Sequence, residues 1–179
     1  YTIGNSNGCK NSETQNYVYH PDILYLSGLV VNYNGSFIDS LQFIYKNKDN
    51  SKKLQGGEKG KWGKKNNLDN VKELLCPNNS GIYKMEGMYI PTSKDVNSTL
   101  GGIRIHCKDV KTNKVVDLEE NSVGIDFDEG SRILKSSKIQ CKNLSLNGKE
   151  HHGFFADVSG TFDKEKPNEI KIKKCNYYI

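Results

Sequence analysis

Residues 27–45 read SGLVVNYNGSFIDSLQFIY. An apolar, β-branched run holding one glycine leads into Asn34–Gly35, a pair suited to tight hairpin turns because both residues tolerate the left-handed backbone. An alternating run then leaves the turn and closes on Tyr45. Successive strand side chains point to opposite faces, so this alternation describes a half-buried strand. The stretch predicts an antiparallel hairpin. Asp39, just past the turn, either bonds local amides or is aimed at a ligand.

The same plan recurs at 85–107, MEGMYIPTSKDVNSTLGGIRIHC, and at 151–175, HHGFFADVSGTFDKEKPNEIKIKKC. Each copy has a glycine inside an apolar strand, a polar turn, and a second strand ending on a fixed position, which is Tyr45, Cys107 and Cys175 in turn. Three repeats at about 23–55, 76–110 and 139–179 are therefore expected within one domain, 23–179, after a partly extended N-terminal segment, 1–22. NLDNVKELL, 67–75, is the one helix-like stretch, read as a turn of helix or the start of a strand. The chain reads as all-β. Three one-sided antiparallel sheets bury their inner faces together as a β-prism with pseudo-threefold symmetry; a β-sandwich would bury them equally well.

Five cysteines, Cys9, Cys76, Cys107, Cys141 and Cys175, are spread without a CxxC, which argues against zinc and for disulfides in an oxidising compartment. The economical pairing keeps each bridge within a repeat, Cys76–Cys107 and Cys141–Cys175, though five cysteines permit other connectivities. Cys9 is then unpaired, or bonded to a second protein. Sequons at Asn34, Asn78, Asn97 and Asn143 fit a secreted or surface glycoprotein.

The net charge of +5 comes almost wholly from lysine, with arginine at Arg104 and Arg132 alone. Arginine supplies the bidentate contacts that nucleic acids favour, and no single element gathers the lysines, so nucleic-acid binding is not expected. No apolar run is long enough for a membrane-spanning helix. GNSNG at 4–8 has the spacing of a nucleophile elbow without a strand before it or a helix after it. DFDEG at 126–130 lacks the later glutamate of a calcium loop, and nothing fixes the separation of Glu119, Glu120, Asp126 and Asp128 as a glycosidase pair. No enzyme, metal or cofactor is expected.

GSFIDSLQFIY followed by QGGEKG resembles the jacalin-related lectins, with their G-x-x-x-D turn and Gly-Gly loop; GIYKMEGMYI and GKEHHGFF resemble later hairpins of that family. GKWG, CP and LGGIRIHCKD are similar to vitelline membrane outer layer protein I, another β-prism. The likeness runs from about 23 to 175. It implies that Gly35, Ser36, Phe37, Ile38 and Asp39 form a sugar-holding turn flanked by Gly56 and Gly57, because a carboxylate accepts hydroxyl protons and a glycine turn bares its amides. GFFAD at 153–157 has the same spacing but falls inside a strand. The expected function is a secreted or cell-surface binding module for glycans or glycoproteins, as in adhesion. Two alternatives stand beside it: a protein–protein module tethered through Cys9, and a structural matrix component.

Overall fold

The computed structural model describes residues 2–4, 13–16, 23–35, 37–47, 52–54, 62–63, 71–90, 99–118, 120–124, 135–163 and 166–178. Among them there is no helix. Strands β1 (Thr2–Gly4) and β2 (Glu13–Asn16) precede a long hairpin, β3 (Ile23–Tyr33) and β4 (Ile38–Asn47). Then come β5 (Lys52–Leu54), β6 (Trp62–Gly63) and β7 (Val71–Leu75), so the helix-like stretch starts a strand. A second long hairpin, β8 (Ser80–Ile90) and β9 (Thr99–Asp109), is followed by β10 (Val115–Val116), β11 (Ser122–Gly124) and β12 (Lys135–Gln140). A small hairpin, β13 (Leu144–Leu146) and β14 (Lys149–His151), leads to the third long one, β15 (Gly153–Asp163) and β16 (Lys166–Tyr177).

Each long hairpin is the heart of one antiparallel sheet, and all three sheets are wired alike. The leading strand takes one further neighbour: β7 on β3, β12 on β8, β2 on β15. The returning strand takes short edge pieces: β5 and β6 on β4, β10 and β11 on β9, β1 on β16. The N-terminal strands thus complete the third sheet, closing the ring of sheets with chain from the opposite end. The fold is a β-prism whose three antiparallel sheets are related by a pseudo-threefold axis.

The register carries the repetition residue by residue. Each leading strand has an extra residue opposite its partner, at Ser27, Tyr83 and Ala156, and a further shared irregularity comes after Asn32, Met88 and Thr161. Such bulges bend a strand and sharpen its twist, which lets a long hairpin wrap the core. The pair just before the bulge is Leu26 with Tyr45, Ile82 with Cys107, and Phe155 with Cys175. Tyr45 therefore occupies, in the first repeat, the place that cysteine holds in the other two.

Two disulfides exploit that place. Cys76, just past β7, bonds Cys107 of β9, and Cys141, just past β12, bonds Cys175 of β16. Each bridge pins the outer strand of one sheet to the hairpin of the next. The same cysteines donate their N–H groups to the carbonyls of the bulged residues, Cys76 to Ser27 at 2.8 Å and Cys141 to Tyr83 at 3.2 Å. The bulge carbonyl, left out of the hairpin ladder, is thereby satisfied.

Inward-facing residues from all three sheets make one core, including Leu29, Leu41 and Phe43, then Met85, Ile103 and Ile105, then Phe155, Val158 and Ile170. The leading strands β3, β8 and β15 touch one another pairwise, as a threefold arrangement requires. Two residues before each bulge stand Tyr25, Gly81 and Phe154. The Tyr25 and Phe154 rings lie 6.2 Å apart, and a Cβ on Gly81 would come within 2.8 Å of one and 3.0 Å of the other. Two rings fill the space near the axis, so the third equivalent position has room for glycine alone.

Candidate functional site

The first place to test is the 34–39 turn. Asn34 N–H donates to the Phe37 carbonyl at 3.1 Å, and Gly35 takes φ +95°, the conformation that suits glycine in a hairpin. The Asn34 side chain acts as a clasp. Its Oδ1 accepts the Phe37 N–H at 2.9 Å, and its Nδ2 donates to Asp39 Oδ1 at 3.2 Å. Asp39 is only 3% exposed, and Ile38 is wholly buried. The aspartate thus bonds within its own turn, and the amides of Asn34 and Phe37 are both engaged. Ser36, Gly56 and Gly57 lie outside the described residues.

The second place is the outer face of the sheet built on β8 and β9. Opposed pairs put Arg104 across from Glu86, Glu86 across from Lys138, and Lys84 across from both His106 and Gln140. Glu86 is the electrostatic hub. His106 Nε2 donates to its Oε2 at 2.7 Å, and an Arg104 guanidinium nitrogen stands 3.7 Å from the same oxygen. Burial alone would raise the Glu86 pKa, but the His106 hydrogen bond and the charges of His106, Lys84 and Arg104 outweigh it and hold the carboxyl below its ordinary range. Along the same face, the edge of the Tyr83 ring meets His106. Lys108 Nζ sits 4.3 Å over that ring and 3.1 Å from His152 Nδ1. Partial burial lowers the Lys108 pKa.

At the border of this face lies an open cleft of about 470 Å³ lined by Lys138, Gln140, Cys141, Lys142 and Asn143. Its wall is anchored three ways: by the Cys141–Cys175 bridge, by the Cys141 N–H on the Tyr83 carbonyl, and by the Tyr177 hydroxyl donating to the Lys142 carbonyl at 2.7 Å. Asn143 Nδ2 approaches Glu150 at 3.5 Å. The basic face was not singled out in the sequence, where its lysines read as scattered. Runs such as RIHCK and KIQCK carry outward cations at alternate positions, but only pairing of β8, β9 and β12 collects them.

Asn34, Asn78 and Asn143 are exposed, while Asn97 lies outside the described residues. Asn78 sits in a turn in which Ser80 N–H donates to the Pro77 carbonyl. The bridges use four of the chain's five cysteines, and Cys9 lies outside the described residues. Among the described residues, no group of three or more His, Cys, Asp or Glu side chains could hold a metal. Asp126 and Asp128 lie outside them.

No sequence-family model and no curated protein sequence matches the chain. Solved structures match it along nearly its whole length. A mannose-binding jacalin-related lectin from Ananas comosus aligns with TM-score 0.55 at 13% identity, over 96% of this chain and 95% of that one. Malaysian banana lectin aligns with TM-score 0.54 at 12% identity, over 95% and 91%. Artocarpin, solved with mannotriose, aligns with TM-score 0.55 at 11% identity, over 96% and 95%. The β-prism built by the three bulged hairpins is therefore the fold of the jacalin-related lectins.

Proposed function

We propose that this chain is a carbohydrate-recognition module that acts by binding rather than catalysis. The observation that carries this reading is the near-complete coverage of the chain by β-prism lectins, among them a mannose-binding protein and one solved with mannotriose. The 34–39 turn is the sugar contact that the lectin resemblance suggests, and a sugar there would compete with Asn34 for Asp39. The two disulfides favour an oxidising, extracellular setting. A glycan array tests the proposal, with Asp39→Asn as the variant that keeps the turn's volume. Binding to defined glycans supports it. Binding to none removes it, and binding unaffected by the substitution moves the contact away from this turn.

A second reading, a module tethered to a partner chain through Cys9, draws on the odd cysteine left by the two bridges. Non-reducing mass analysis of the native protein checks it: Cys9 recovered as a free thiol excludes the tether.

A further inference from the structure

We propose that the cleft beside β12 is a subsite for the acidic unit of a saccharide, with Lys138 and Lys142 facing its sulfate or carboxylate and the Gln140 and Asn143 amides facing its hydroxyls. This rests on the carbohydrate reading above and adds a charge requirement that the turn at 34–39 does not have. Three observations converge on it. The cleft, at about 470 Å³, is in the size range of small-molecule sites. Two exposed ammonium groups border it, and among the described residues neither is held by a carboxylate. The neighbouring face adds Lys84, Arg104, His106 and Lys108, against which Glu86 is the carboxylate in the paired rows, already hydrogen-bonded to His106. An anion entering the cleft therefore meets the Lys138 and Lys142 ammonium groups, with Glu150, already bonded to Asn143 at 3.5 Å, as the carboxylate beside it.

Alternating cations and amides suit a sugar acid better than a bare anion. Lysine offers a compact point charge with three donors, and a side-chain amide can both donate to and accept from a hydroxyl. The anchored backbone adds preorganisation. With Cys141 bridged and the Lys142 carbonyl held by Tyr177, ordering on binding is confined to side chains, which limits its entropic cost. Asn143 belongs to a sequon, so a glycan attached there would fill the cleft itself.

The test titrates the Ser145→Ala protein, which keeps Asn143 but cannot be glycosylated there, with a sulfated tetrasaccharide, an oligogalacturonate of the same length, a neutral tetrasaccharide and polyglutamate. The expected result is tighter binding of an acidic saccharide than of the neutral one, weakening as salt rises. Lys138→Gln with Lys142→Gln should lower that affinity by about tenfold or more, the scale of a lost charge-assisted hydrogen bond. Lys72→Gln, a control on a different sheet, should leave it unchanged. Which acidic saccharide binds tighter identifies the anion. Polyglutamate binding as tightly as the acidic saccharide, or indifference to the double substitution, overturns the proposal. Equal binding of neutral and acidic saccharides overturns it while leaving the carbohydrate reading in place, whereas no saccharide binding removes both.

Discussion

Two carboxylates show how burial and partners set opposite pH responses. Glu86, held below its ordinary range, is ionised more readily in the folded chain than in the unfolded one. Its contribution is present above the unfolded value of 4.5 and is lost as pH falls through the lowered folded value. With its side chain 25% exposed, solvent screening keeps that contribution below about 1 kcal/mol. Urea titrations of Glu86→Gln should therefore show a deficit at neutral pH that closes in acid. Asp157 behaves the other way. It is 4% exposed, and its Oδ1 has no partner among the described residues. Burial raises its pKa above the unfolded 3.8 despite Lys173, the Val158 N–H and Lys174. The folded chain then binds the proton more tightly, so stability rises as pH falls toward 3.8. Asp157→Asn should stabilise the protein at neutral pH, on the order of 0.5 kcal/mol, with the gain fading in acid. Asp39 is a third case, a buried acceptor already in use. Asp39→Ala removes the carboxylate that accepts from the Asn34 amide and should cost about 0.5–1.5 kcal/mol in urea denaturation, more than Asp39→Asn, which keeps an acceptor.

The recurring element is the bulged hairpin, and its stability depends on the strands that flank it in the sheet. A hairpin alone is marginal in water; here each gains a third strand on its leading side and edge pieces on its returning side. The disulfides act at the joint between elements. Sequence separations of 31 and 34 residues imply that each bridge removes enough unfolded-state freedom to stabilise the fold by about 3–4 kcal/mol. Cys76→Ala with Cys107→Ala should lower the thermal midpoint accordingly, as calorimetry would read. A loss well under 1 kcal/mol would mean that core packing between the sheets, not the bridge, holds the joint.

At the scale of the whole molecule, three equivalent hairpins meet near one axis, where equal residues would not fit. Tyr25 and Phe154 occupy it, and Tyr178 closes against both at 6.0 and 5.8 Å, with burial and the nearby Tyr25 pushing its hydroxyl pKa up. Gly81 is what remains possible at the third position. Gly81→Ala should cost about 1–3 kcal/mol by overpacking, measured as a shift in the urea midpoint with unchanged slope. Asymmetry at the axis is thus a packing requirement inside a repeated fold.

The alternation of apolar and polar residues around Asn34–Gly35 and the common spacing to Tyr45, Cys107 and Cys175 were enough to write down the hairpins and the triplication, and they made Cys76–Cys107 and Cys141–Cys175 the economical pairs while leaving other connectivities open. These are local properties, since a strand's period of two and a turn's backbone demands are spelled by neighbours in the chain. The sequence left a prism and a sandwich equally open, because burying one-sided sheets does not dictate how many meet. Only the tertiary structure decided that three do, that the N-terminal strands complete the third, and that Asn34 takes the Asp39 carboxylate. It alone gathered Lys84, Glu86, His106 and Lys138 on one face. Lateral register brings together residues far apart in sequence, and it is set by the bulges and by closure of the prism rather than by any short run of residues.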